Sequence, residues 1–131
     1  MTVEDALEII STGTESSSKA LIGITSDIDV GSLEMTADKN VDVGNTSTID
    51  IAEYGTLTST GSSSTSDVSI KLESVINADS LDLTAGDDAV MQTDSEVHVT
   101  NNFHMQADTT NDCTISGSAV IDAGSESGNC L

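Results

Sequence analysis

Apolar and polar residues alternate along most of this chain in short runs. Examples are Ile28-Asp29-Val30, Leu33-Glu34-Met35-Thr36-Ala37, Val41-Asp42-Val43, Ile49-Asp50-Ile51 and Leu81-Asp82-Leu83-Thr84-Ala85. Val97-His98-Val99, Phe103-His104-Met105-Gln106-Ala107 and Cys113-Thr114-Ile115 continue the series. A period of two puts successive side chains on opposite faces, so each run predicts a short strand with one apolar and one polar face. Gly, Ser, Asn, Asp and Thr fill the gaps, as tight turns require. After residue 10 no stretch carries a 3.6-residue period, which excludes a helical solenoid.

A longer period overlies the alternation. The segments at 32–37, 56–61, 80–85 and 102–107 align, with starts 24, 24 and 22 residues apart, and residues 8–13 align more loosely. One inward column then reads Ile9, Leu33, Leu57, Leu81, Phe103, and the next Ser11, Met35, Ser59, Leu83, Met105. Gly13, Ala37, Gly61, Ala85 and Ala107 form a small-residue column, and Thr12, Thr36, Thr60, Thr84 and Gln106 a polar one. A chain with about three strands per repeat of this length predicts an all-β parallel β-helix, a β-solenoid of about five 22–24-residue coils. A β-sandwich also uses many short alternating strands, but does not explain the Thr column.

These coils span 8–124. Residues 1–7 form an N-terminal cap or tail, in which Thr2-Val3-Glu4-Asp5 has the form of a capping box for one helical turn. Residues 125–131 break the pattern and form a C-terminal loop.

Composition narrows the partners. The chain has 131 residues, 23 Asp and Glu against three Lys, no Arg and a net charge of −20. Phosphate binding needs a cationic footprint, so nucleic acid is excluded as a partner. No apolar run approaches the ~18 residues of a membrane helix, and no basic, apolar leader is visible. Divalent cations, or none but solvating counterions, are the natural company of such a surface. Tyr54 and Phe103 are the sole aromatics, so the core must be aliphatic. Alternation and the absence of proline argue against disorder.

The Leu-x-Leu-x-Ala segments with Gly, Asp or Asn turns, especially Ser80-Leu81-Asp82-Leu83-Thr84-Ala85-Gly86-Asp87, resemble the coil repeats of filamentous-haemagglutinin-type adhesins. The resemblance covers roughly 8–124 and implies a right-handed parallel β-helix on an extracellular surface. This chain is shorter and more acidic than that family, and lacks a recognisable secretion domain.

Candidate chemistry is sparse. A lyase-like solenoid would need Arg, and a glycosidase would need a paired-carboxylate cleft with aromatic platforms. With turns of a few residues the chain is expected not to be an enzyme. The acidic turns Ala37-Asp38-Lys39-Asn40, Gly86-Asp87-Asp88 and 108–112 are the candidate cation sites, with Asp87, Asp88, Asp108 and Asp112 as oxygen ligands for Ca²⁺. His98 and His104, with Glu96, would be needed together for a transition-metal site, and two exposed histidines are more often plain surface residues. An ice-binding face would need paired Thr columns, and Thr58-Ser59-Thr60 alone supplies one. Cys113 sits on an inward position and Cys130 near the end, so an intrachain disulfide or a link between subunits through Cys130 are both open.

A five-coil stack is about 24 Å tall and leaves unpaired strand edges at both ends. The expected function is therefore a structural subunit or segment of an extracellular or surface fibre or adhesin, self-associating end to end. The alternatives are an acidic module for Ca²⁺ or a mineral surface and, less so, an ice-binding solenoid.

Overall fold

The computed structural model describes residues 1–11, 18–62, 64–109 and 112–131. The chain is all-β. Its long strands are β1 (Thr2–Ser11), β3 (Asp27–Ala37), β5 (Thr48–Ser59), β7 (Val75–Thr84), β9 (Glu96–Gln106) and β11 (Val120–Ser127). Between them run short strands, β2 (Lys19–Ile22), β4 (Asn40–Val43), β6 (Val68–Ile70), β8 (Ala89–Met91) and β10 (Cys113–Ile115). Long strands stack in one parallel sheet, β1-β3-β5-β7-β9-β11, and short ones in a second, β2-β4-β6-β8-β10. One long and one short strand make a coil, and five coils plus β11 make a β-solenoid.

Each long strand bends once, so it supplies two walls of the coil. In β5, Ile49 and Ile51 point inward before the bend, Gly55, Leu57 and Ser59 after it, and Ala52, Glu53 and Tyr54 face solvent at the bend. The core between the walls is aliphatic except for Phe103, and Leu33, Met35, Leu57, Leu83, Phe103 and Met105 are fully buried, with Leu81 nearly so.

The register corrects the 24-, 24- and 22-residue steps of the sequence alignment. Leu7, Leu33, Gly55, Leu81 and Phe103 share one inward column, in steps of 26, 22, 26 and 22 residues. Ile9, Met35, Leu57, Leu83 and Met105 form the next, and Ser11, Ala37 and Ser59 head the third. Ile9 and Leu57 therefore belong one inward place further along the strand than the sequence alignment put them. The outward Thr column is Ile10, Thr36, Thr58, Thr84 and Gln106, so the paired row is Thr56-Leu57-Thr58 rather than Thr58-Ser59-Thr60. Thr12 and Gly13 lie outside the described residues.

The true repeat is a pair of coils, 48 residues long, since positions 7 and 55, 33 and 81, and 55 and 103 share one column. Its two halves differ at both ends of the long strand. Corners of three residues (Glu4-Asp5-Ala6, Ala52-Glu53-Tyr54, Thr100-Asn101-Asn102) alternate with corners of two (Gly31-Ser32, Asp79-Ser80, Gly124-Ser125). Connections to the short strand alternate too: β3 to β4 takes residues 38–39 and β7 to β8 takes 85–88, whereas β5 to β6 takes 60–67.

The turn from short to long strand is built alike in four coils. Thr25, Thr46, Glu73 and Asp94 hold φ between 55° and 59°, each followed by a serine. A left-handed non-glycine residue costs of order 1–3 kcal/mol and persists only where its surroundings hold it. The serines do that. Ser47, Ser74 and Ser95 are fully buried. The Ser47 hydroxyl donates to the Gly23 carbonyl of the coil below at 2.8 Å, and that of Ser74 to Gly44 at 2.7 Å. Backbone rungs continue through the turn, from Thr48 N to Ser26 O, Val75 N to Ser47 O and Glu96 N to Ser74 O, each at 2.8 Å.

The N-terminal segment expected as a helical turn or a tail is strand. Val3, Leu7 and Ile9 alternate inward and pack on the core, which one capped turn would leave uncovered. Residues 125–127 likewise continue β11.

Candidate functional site: an acidic turn stack, an outer groove and two unlike ends

Asp67 closes the long connection before β6, and Asp87 and Asp88 close the short one before β8. Because Val68 pairs with Ala89, Asp67 and Asp88 stand opposite each other on adjacent coils. One ligand oxygen each from Asp67, Asp87 and Asp88 fall within 4.8 Å of one another, and among the described residues no other group of three His, Cys, Asp or Glu does so. Gly86 permits this approach: a Cβ there would meet the Gly61 carbonyl oxygen at 1.7 Å. The Asp87 amide donates to Ser66 O at 3.0 Å and the Asp88 amide to an Asp67 carboxylate oxygen at 3.4 Å.

Partial burial raises the Asp67 pKa above its ordinary value; the Asp88 amide opposes this, and the charges of Asp88, Asp87 and Asp42 add to it. Asp87 is also raised, by desolvation and by Asp88, Asp112 and Asp108. Of the four acids expected at this corner, Asp87 and Asp88 join the cluster. Asp108 and Asp112 contribute charge from the next coil, and Asp112 is occupied in accepting from Thr109 N and Oγ1 at 3.1 and 2.7 Å. The Asp38 turn is not part of it. Three carboxylates supply about half the oxygens that Ca²⁺ takes.

The sequence did not point to Asp67, which lies in a Ser/Thr-rich stretch whose neighbour depends on the unequal coil lengths. Asp42 lies on the outward face that the alternation predicts, but nothing in the sequence marked its burial. That side chain is on an outward position of β4 but is only 2% exposed, because Lys19 and Lys71 close over it, Lys71 Nζ at 3.1 Å. Two of the three lysines thus neutralise one buried carboxylate, as a desolvated charge requires.

An open groove of about 790 Å³ runs along the outer face beside the corners, lined by Asp29, Asp50, Asn77, Asp79, His98 and Asp122 among others. Asp50, Asn77, Asp79 and His98 each meet a polar partner in the groove or at its edge. Asn77 donates to Asp50 and Asn101 to Asp79, both at 2.7 Å, and His98 meets Glu96 at 3.0 Å. His104 lies beyond the corner with its Nδ1 3.1 Å from the Ser127 hydroxyl, so the two histidines do not share a site.

The two ends are built differently. At the N-terminal end the outer edges of β1 and β2 pair with no strand among the described residues. Met1, Ile10, Leu21 and Ile24 are 63, 47, 49 and 74% exposed there, and at the C-terminal end, where β10 and β11 are also edge strands, Ile115, Val120 and Leu131 are 38, 43 and 41% exposed. At the C-terminal end a disulfide joins Cys113 to Cys130 across the top of the core. The Asn129 side chain accepts from Ala107 N at 2.9 Å and donates to Ala107 O at 2.8 Å, standing in for the next strand. Glu126 continues the inward column of Leu81 and Phe103. A charge at an inward edge position is a recognised way to block further pairing.

Among the described residues no helix is long and apolar enough to cross a membrane. No family model matches the chain, and no curated protein or solved structure is significantly similar to it. The likeness to filamentous-haemagglutinin-type adhesins therefore rests on repeat style and stacked coils alone.

Proposed function

We propose that the chain is a structural β-solenoid, a segment of an extracellular fibre or surface adhesin, without catalytic activity. It associates through its N-terminal edge, with a second copy in the simplest case, while the features of its C-terminal end oppose strand pairing there. The contrast between the ends carries this reading: both have unpaired outer edges and exposed apolar side chains, but among the described residues the C-terminal one alone carries a disulfide, a strand-mimicking asparagine and a glutamate on an inward register position. The disulfide also favours an oxidising, extracellular setting. Sedimentation velocity over a hundredfold concentration range tests it in 0.15 M and 0.5 M NaCl. A reversible species of twice the monomer mass, favoured by salt that screens the −20 charge, is expected. A monomer throughout, with or without calcium, defeats it.

A second reading rests on the Asp67, Asp87, Asp88 cluster: the solenoid takes up a divalent cation there. Millimolar Ca²⁺ should then raise the melting temperature far more than NaCl of equal ionic strength, and Asp67→Asn should remove most of the excess.

A further inference from the structure

The alternating corners shape a second surface feature, independent of the ends. Tyr54 stands on the three-residue corner of β5 and Asn102 on that of β9, two coils away, or about 10 Å by strand spacing. Between them β7 turns on two residues, Asp79 and Ser80, and leaves a cleft of about 220 Å³ floored by Ser80 and Leu81. Tyr54 forms one wall and is 55% exposed, whereas the other aromatic, Phe103, is fully buried. Asp82 and His104, adjacent in one outward column, line the rest. The Thr84 hydroxyl donates to Asp82 Oδ1 at 2.7 Å, which fixes the carboxylate and leaves Oδ2 for a ligand.

We propose that this cleft binds an alkylammonium group, such as a lysine side chain or a quaternary choline-type headgroup. A tyrosine face attracts a cation through its quadrupole, by roughly 0.5–2 kcal/mol depending on desolvation. Asp82 supplies the opposite charge beside it, the exposed Tyr54 ring flanks the alkyl part, and the −20 net charge draws cations and repels anions. Anionic ligands are excluded by the same field.

Tyr54 is the single tyrosine and the chain has no tryptophan, so its fluorescence reports on this cleft alone. The experiment titrates the folded chain with n-butylammonium and tetramethylammonium chlorides, against KCl at equal ionic strength and against glucose. A saturable change at millimolar ammonium, absent with KCl and glucose, is expected. Asp82→Asn should weaken it about tenfold, a loss of ~1.4 kcal/mol, while Asp50→Asn, which removes the same charge elsewhere, should stay within about twofold. Stronger binding of butylammonium assigns the lysine-type source, and stronger binding of tetramethylammonium the quaternary one. A signal that KCl or glucose reproduces, or that Asp50→Asn weakens as much as Asp82→Asn, overturns the proposal. Association through the N-terminal edge is read by mass and stands or falls separately.

Discussion

The first and last coils face the same physical problem and meet it differently. Each has a core with one neighbour instead of two, and each leaves backbone groups unpaired. The last coil is closed covalently by Cys113–Cys130, and Asn129 satisfies both backbone groups of Ala107. The first coil has no such device among its described residues, and its inward Val3, Leu7 and Ile9 are only partly covered. The difference teaches that stacking alone does not finish a solenoid. One end of this molecule carries its own covalent and hydrogen-bonded cover, and among the described residues the other does not.

The largest expected effect separates the middle from either end. Leu81→Asp places a charge in a dry column with coils above and below, and should cost ~4 kcal/mol or more and unfold the chain. Leu7→Asp, in the same column but in the open coil, should melt only β1 and leave the rest cooperative. Circular dichroism with limited proteolysis distinguishes the two.

Reducing the disulfide comes next. Its closed loop spans a sequence separation of 17, for which chain entropy predicts about 3 kcal/mol. Amide exchange in β11 should rise sharply after reduction while that in β1 stays as it was. Asn129→Ala is a milder form of the same test. Losing two hydrogen bonds should cost ~1–2 kcal/mol and loosen residues 105–107 without changing β1.

The smallest effect is electrostatic. Asp67 and Asp87 have folded pKa values raised above the unfolded ones, Asp67 chiefly by burial and Asp87 by desolvation and neighbouring carboxylates. Such groups bind protons more tightly when folded, so they destabilise the fold while ionised. The penalty is present at pH 7 and fades as pH falls through the raised folded values. The melting temperature should therefore rise by a degree or so, roughly, between pH 7 and mildly acidic pH. Asp67→Asn should flatten that rise, whereas substitutions at either end should not.

The sequence displayed the inward and outward parity of nearly every strand, and misjudged the stacking of two coils. Those facts share one cause. Moving a strand by one residue exchanges its faces, but moving it by two leaves every side chain on its own face. Alternation therefore located the core without fixing which residue lies above which. Gly55 completed the error. It occupies a column otherwise held by Leu33, Leu81 and Phe103, and Ile51 and Leu81 fill its space, their Cδ1 atoms 2.7 and 2.8 Å from where its Cβ would be. An alignment of apolar residues passes over it to Leu57. The carboxylate cluster was half legible for the same reason. Asp87 and Asp88 stand in an obviously acidic turn, whereas Asp67 reaches them only through the 27- and 21-residue steps from Val41 to Val68 and Val68 to Ala89. The buried Ser47, Ser74 and Ser95 were legible in principle, as a serine just before β5, β7 and β9, but serine in a turn needs no burial to be there.

Amide hydrogen exchange at low and high protein concentration tests most directly whether one end is open and the other closed. At low concentration β1 should exchange fastest of the long strands, and β11 should be held by its disulfide. At high concentration protection should rise across β1 and β2 and remain unchanged across β10 and β11. Protection that rises equally at both ends, or at β11 alone, would contradict the asymmetry.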